Sequence, residues 1–510
     1  MLTATYSCGL FGIDAFKVTV ECSFTDSLPY FEIVGLPDNA VRESKRRIAA
    51  ALENSGTPLP EAEIIFNLAP ADRRKEGSAL DLAMAAAIWK AVGIIPAERD
   101  TSRSLFVGEL SFTGELRPVR GVISMAICAR DEGFSEMYVP YENAAEAAAV
   151  GAVTVYPVRS LEELRAHFDM TAPISPAVFH SPDFSARADG EADFSDVKGQ
   201  GRAKRALEIA AAGGHNVLMV GPPGAGKSML AKRLPSIMPP LTFEESVEIT
   251  RLHSVSGLIP ASGGLVERRP FRSPHHTMSA PSLVGGGAIP MPGEVSLASG
   301  GVLFLDELPE FSKNVTEAMR QPLEDGKVTI TRTAGRVTYP CSVMLVCAMN
   351  PCRCGYFGSG VRECTCRRDD IKKYISKISG PLLDRIDIQI ELTALSFDEL
   401  SKEEKSESSA EIRRRVTRAR EISAERLGTP SGCNARMERA DIQRFCELDP
   451  QSVGLMKNAF DRLGLSARGY DRILRVARTI ADLAESEKVC PEHVAEAVQL
   501  RALDKKYFGI

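Results

Sequence analysis

Gly221-Pro222-Pro223-Gly224-Ala225-Gly226-Lys227-Ser228 matches the phosphate-binding pattern G-x-x-x-x-G-K-[ST] at every defined position. Its frame turns the match into a statement about fold. Asn216 and the apolar residues 217–220 read as a short buried strand, and residues 229–234 read as the helix that follows. Glycines accept backbone torsions that other residues resist, so successive N–H groups can converge at a helix N-terminus, where the dipole favours negative charge. A nucleotide polyphosphate suits that cradle, and ATP is the expected ligand. Gly221 to Gly226 would wrap it, Lys227 would reach the outer phosphates, and the Ser228 hydroxyl would hold Mg²⁺.

Two more apolar runs end in polar side chains, as buried parallel strands do when they present chemistry at their C-terminal ends. The run 301–305 ends in Asp306-Glu307. Asp306 is expected to hold Mg²⁺, directly or through water, and Glu307 to orient or deprotonate an attacking water. The run 343–349 ends in Asn350, whose amide can hold that water without adding charge; a turn residue before Pro351 is the plainer alternative. Arg385 stands between Asp384 and Asp387, just ahead of an expected strand at 388–392. An arginine completing a neighbouring subunit's site would be worth roughly 10³ to 10⁵ in rate. Arg468, at the start of a C-terminal helix, is the candidate second sensor of the γ-phosphate; a helix-surface arginine is the plainer alternative, and Arg472 and Arg475 on the same helix are rivals.

At 510 residues the chain can hold two to four domains. Its net charge of −5 gives it no global basic character, so any nucleic-acid contact must use a local patch or a channel assembled from several subunits. The most apolar stretch, 80–95, is broken by Asp81 and Lys90, and the N-terminus lacks a basic-then-apolar signal pattern. A soluble, cytoplasmic protein without a membrane partner is expected. Twelve cysteines in such a chain point to reduced thiols or metal ligation rather than a disulfide framework.

Residues 1–170 mix the two periodicities. Strand patterns cover 16–24, 31–37 and 64–68, helical ones 39–53, 79–92 and 122–131, and a strand pair is expected from 105–110 with 114–119. This order, with Lys75-Glu76-Gly77, Gly108-Glu109-Leu110 and Leu116-Arg117-Pro118-Val119, resembles the proteolytic domain of Lon-type proteases, a family that uses a Ser/Lys dyad. Aligned on those phrases, the nucleophile position falls on Ala79 and the lysine position near Ile123. Ser78 is one residue early, and one residue on a helix turns a side chain by about 100°. Ser78 therefore reads as a helix cap, and the domain as a non-proteolytic Lon-like module similar to the one in the DNA-repair motor RadA. Arg73, Arg74 and Lys75 read either as a phosphate contact or as a solvated basic loop.

Residues 171–195, rich in Pro, Ser, Ala and Asp, read as a linker. Residues 196–200 then lead into the phosphate-loop region, where such a segment is expected to border the base of a nucleotide. The phrases Arg272-Ser273-Pro274-His275-His276-Thr277, Pro292-Gly293-Glu294-Val295-Ser296-Leu297-Ala298, Leu303-Phe304-Leu305-Asp306-Glu307 and Leu382-Leu383-Asp384-Arg385-Ile386-Asp387 resemble the Mg-chelatase-like AAA+ ATPases. With the Lon-like N-terminal domain, nearly the whole chain resembles the bacterial ComM/YifB family. The resemblance implies an α/β fold: an AAA+ P-loop core with a parallel sheet at 196–395, preceded by the α+β Lon-protease-like domain at 1–170 and followed by an all-α lid at 396–510. It also implies a homo-hexameric ring acting as a branch-migration helicase on branched or junction DNA in recombination and natural transformation, alongside other recombination proteins.

The residues add their own expectations. Residues 327–339 alternate on both sides of Ala334-Gly335 and read as a β-hairpin with Arg332 and Arg336 near its tip. A ring of such hairpins would set a positive belt where a DNA backbone passes; a structural hairpin with solvated arginines is the alternative. His275 and His276 read as pore-loop groups, metal ligands or simple hydrogen-bonding residues. Cys352, Cys354, Cys364 and Cys366, in an insert at 351–367, could surround a structural Zn²⁺; free or redox-active thiols are the other reading. Helices are expected at 411–427, 439–448, 452–463, 470–486 and 491–500. The competing functions are a chelatase-like or chaperone-type remodelling ATPase that does not move DNA, and an ATP-dependent protease, which the missing dyad disfavours.

Overall fold

The computed structural model describes residues 1–184, 192–259, 263–287, 289–332, 335–360, 362–394, 406–501, 503 and 507. Ala334, at the expected hairpin turn, and the expected lid boundary at 396 lie outside them. Two compact units emerge: Met1–Asp183 with Ser246–Val266, and Phe184–Glu245 with Glu267–Ile510.

The first unit is built on a seven-stranded sheet in the order Tyr30–Val34, Glu63–Ala69, Asp14–Thr25, Leu2–Phe11, Ser104–Phe106, Glu136–Pro140, Thr154–Val158. Leu2–Phe11 and Asp14–Thr25 pair antiparallel along their whole length, from Leu2↔Ser23 to Phe11↔Asp14, around a turn in which Gly12 takes a φ of 67°. Phe16, Val18, Val20 and Cys22 alternate inward from the second strand. They meet the helix Asp81–Ala91, which is buried on nearly every face and therefore shows no amphipathic stripe. Asp38 caps the helix Asn39–Asn54 by accepting from the Val41 amide at 2.8 Å.

The expected strand pair at 105–110 and 114–119 is divided. Ser104–Phe106 joins the large sheet in parallel with Glu136–Pro140, and only Glu109–Leu110 and Leu116–Arg117 form the hairpin. A segment from within the expected core span, Ser246–Val266, also packs in this unit. There the Ser254 hydroxyl accepts from the Gly121 amide at 2.9 Å and donates to the Glu146 carboxylate at 2.7 Å, while Arg251 pairs with Asp14 at 2.6 Å.

The second unit holds a five-stranded parallel sheet in the order Phe271–Arg272, Val302–Leu305, Met344–Met349, Val217–Val220, Ile388–Glu391. Every residue of Val217–Val220, Val302–Leu305 and Met344–Met349 is buried, which is why these strands read as unbroken apolar runs. The C-terminal helices are Ser409–Leu427, Arg439–Phe445, Pro450–Leu463, Ala467–Leu483 and Pro491–Gln499. Ser408, Asp449 and Ser466 start three of them by accepting backbone amides, and Gly428 and Gly464 end two in the left-handed conformation. Helices and sheet share one core, in which Ile412, Val416 and Ile480 lie with Val217, Val346 and Ile388.

Candidate nucleotide site

The parallel sheet brings three chain segments to one edge. Gly221 follows the strand Val217–Val220, Asp306 follows Val302–Leu305 and Asn350 follows Met344–Met349. Lys227 Nζ donates to Gly221 O at 2.7 Å, Pro222 O at 2.9 Å and Asn350 Oδ1 at 3.0 Å. The Ser228 hydroxyl donates to Asp306 Oδ2 at 2.6 Å. Burial lowers the Lys227 pKa, against the pull of the Asp306 and Glu307 carboxylates.

The loop needs its glycines. Gly224 and Gly226 lie at φ 78° and 89°, and a Cβ on Gly221 would stand 2.7 Å from Leu392 O. A lysine ammonium, a glycine-rich loop and a hydroxyl–carboxylate pair form a set of groups suited to a Mg²⁺–polyphosphate.

Glu307 adopts a left-handed backbone, φ 51° and ψ 48°, and its side chain is exposed. Few non-glycine residues sit there, and those that do cluster at functional sites. His276 Nδ1 lies 3.8 Å from its carboxylate, and the His275 ring packs against His276 with centroids 4.1 Å apart and planes tilted by 33°. His276 thus lies beside the acidic strand end, a proximity for which the sequence carries no signal. Gln200 was also unforeseen as an individual: its Nε2 donates to Ala225 O at 3.2 Å and Thr393 O at 2.7 Å, bridging the phosphate loop to the end of the last strand.

Arg385 and Arg468 are elsewhere. They line a cavity of about 660 Å³ with Asn216, Glu324, Arg472 and Arg475. Asn216 immediately precedes the strand Val217–Val220, and Asp387 immediately precedes Ile388–Glu391, so this cavity lies at the opposite edge of the sheet from Lys227. Four strand residues separate the edges by about 13 Å. Arg385 donates to Pro381 O at 2.7 Å and Arg320 O at 3.1 Å and pairs with Glu324. The rivals of Arg468 are held in place, Arg472 3.6 Å from Asp387 and Arg475 by donating to Met437 O at 2.6 Å.

Arg332 and Arg336 flank the hairpin formed by Lys327–Arg332 and Gly335–Pro340, and both are exposed. The four insert cysteines gather with all Sγ atoms within 4.8 Å of one another.

Two expectations in the first unit are corrected. Lys75 is no phosphate contact: it is buried, and its ammonium donates to Pro70 O. Ser78 is not the helix cap; Leu80 occupies that position, and the Ser78 hydroxyl is held by the Glu109 carboxylate.

A parallel sheet carrying a phosphate loop on one strand, and acid and amide side chains on the two that follow it across the sheet, defines the P-loop core of AAA+ proteins. Comparison with known families gives three matches: "Magnesium chelatase, subunit ChlI" over residues 193–400, "Subunit ChlI of Mg-chelatase" over 20–143 and "Magnesium chelatase, subunit ChlI C-terminal" over 406–501. The chain is 40% identical over 507 residues to competence protein ComM of Haemophilus influenzae, covering 98% of each chain. It is 40% identical over 495 residues to YifB of Salmonella typhimurium, covering 97% of this chain and 96% of that one. Shorter stretches match DNA repair protein RadA of Treponema pallidum, 36% identical over 95 residues (18% of this chain, 20% of that one), and Lon protease 2 of Bacillus subtilis, 24% over 156 (29% and 28%). The chain belongs to the ComM/YifB family of magnesium-chelatase-like AAA+ proteins. Among the described residues no helix is long and apolar enough to cross a membrane.

Proposed function

We propose that this protein is a Mg²⁺-dependent ATPase whose subunits form a homo-hexameric ring and drive branch migration of DNA in recombination and transformation. Lys227 and the loop amides bind the polyphosphate, Ser228 and Asp306 hold Mg²⁺, Asn350 positions the attacking water and Glu307 takes its proton. Mg²⁺ would supply charge neutralisation on the phosphate oxygens. Arg385 and Arg468 act on the nucleotide of a neighbouring subunit.

The observation that carries this reading is the separation of Arg385 from Lys227 across the sheet. A transition-state arginine that cannot reach its own phosphate loop requires a second subunit, and a head-to-tail contact of that kind, repeated with a rotation that closes, makes a ring. The exposed Arg332 and Arg336 would then line the opening, and the names of two relatives, a competence protein and a DNA repair protein, agree with a DNA substrate.

The chelatase-subunit matches favour a second reading, a remodelling ATPase that does not translocate DNA. ATP-dependent branch migration on a synthetic four-way junction separates the two, with Glu307→Gln as the hydrolysis-dead control. Hexamers that split ATP but leave the junction unmoved overturn the DNA motor.

A further inference from the structure

The cysteine insert lies against the phosphate loop. Cys352 Sγ is 3.3 Å from Cys354 Sγ, and Cys364 Sγ is 3.6 Å from both. The four thiols surround one point and include no disulfide, a closed donor set suited to tetrahedral Zn²⁺. Two residues before the first of them is Asn350, the acceptor for Lys227. Directly after Cys354 comes Gly355, at φ 88°, where a Cβ would stand 2.5 Å from Pro223 Cδ. The insert backbone therefore rests on the second proline of the phosphate loop. On its other side Phe357 meets Tyr507 edge-on, centroids 6.4 Å apart, and the Tyr507 hydroxyl donates to Glu391 at 2.6 Å.

The described part of 351–367 contains neither helix nor strand, and Gly355, Gly358 and Gly360 all lie at positive φ. Ordering such a segment costs conformational entropy that its own backbone pairing does not offset. A metal bound by four thiolates would meet that cost.

We propose that zinc bound by Cys352, Cys354, Cys364 and Cys366 braces the phosphate loop, pressing Gly355 on Pro223 and fixing Asn350 beside Lys227, so that nucleotide binding depends on the metal. The proposal rests on the nucleotide-site reading above and adds a control element to it. Zinc loss by chelation loosens the loop and weakens nucleotide binding without touching a nucleotide ligand.

The test uses the full chain in four forms: parent, parent stripped by a chelator, stripped parent reloaded with Zn²⁺, and Gly355→Ala, which keeps all four thiols. Metal content, melting temperature and affinity for a fluorescent ATP analogue are measured on each. One zinc per parent chain is expected. Affinity should fall roughly tenfold on stripping, because the nucleotide must then order a loop that the metal had preorganised, and return on reloading. Gly355→Ala should keep its zinc and show a similar weakening. A parent that contains and takes up no zinc overturns the site. Stripped and loaded protein of equal affinity overturns the brace. A zinc-loaded parent that binds no nucleotide overturns the underlying nucleotide site instead, and the proposal with it.

Discussion

Lys227 Nζ lies 3.0 Å from Asn350 Oδ1, tying the phosphate loop to the end of the strand beside it. One amide thus touches the lysine proposed to grip the outer phosphates, and in the proposed function the same amide positions the attacking water. Asn350→Ala is expected to lower kcat roughly 10²-fold, the scale of losing one preorganised polar group at a reacting centre. Steady-state hydrolysis beside direct nucleotide titration checks this. A kcat within threefold of the parent would return Asn350 to the role of turn residue before Pro351.

Arg385 and Lys227 occupy opposite edges of one sheet. Arg385→Ala and Lys227→Ala should each lose about 10³ or more in ATPase rate alone. Mixed in equal amounts under subunit exchange, the two should recover part of the activity, because some shared sites then pair an intact loop with an intact arginine. Absence of recovery in exchanged mixed assemblies argues that Arg385 does not act on a neighbour.

Gly221 permits the close passage of the first loop residue beside Leu392 O. Gly221→Ala should destabilise the second unit by about 1–3 kcal/mol, the usual range for forcing an extra methyl into packed surroundings. Urea unfolding, following the transition that nucleotide shifts to higher denaturant, measures this. An unchanged midpoint would mean the backbone yields without strain.

Asp387 is largely buried at the arginine-lined cavity, its side chain 10% exposed. Burial works to raise its pKa, but the His215 hydrogen bond and the charges of His215 and Arg472 hold it below the usual carboxylate value. A depressed carboxylate binds protons more weakly in the fold than in the unfolded chain. Its stabilising contribution is therefore complete above the unfolded pKa, about 3.9, and is lost as pH falls through the lower folded value. Asp387→Asn should be less stable than the parent at pH 7, and the gap should shrink below about pH 4. Denaturation midpoints from pH 3 to 7 test the slope; a constant gap contradicts the assignment.

The phosphate loop, its two partner strands and the five C-terminal helices were legible in the sequence because local chemistry dictates each. Glycines at fixed offsets and unbroken apolar runs are short-range signals, as are Ser408, Asp449 and Ser466 ahead of helical periods. The residues proposed to hold the phosphates and Mg²⁺ lie together for the same reason: parallel strands of similar length deliver their C-terminal ends to one edge. What escaped prediction depends on partners distant in sequence. Nothing around Lys75 announces that its ammonium will be buried against Pro70 O, and a lysine beside two arginines reads as a solvated loop. Ser78 precedes a helix and so resembles a cap, yet the Glu109 carboxylate 31 residues away holds its hydroxyl. Arg468 begins a helix that periodicity locates well, but periodicity is silent about which end of the sheet that helix start will face.

The return of Ser246–Val266 to the first unit sets a rule for anyone wishing to dissect this protein. A gene fragment stopping at codon 183 encodes an incomplete body: Gly121 N–H and the Glu146 carboxylate would both lose their hydrogen bond to the Ser254 hydroxyl, each worth about 0.5–1.5 kcal/mol net. Isolating that half therefore means splicing the distant strip back on through a new tether. The complementary excision, removing 1–183 alone, would leave the strip behind as a frayed flap stripped of the surface it was shaped to cover.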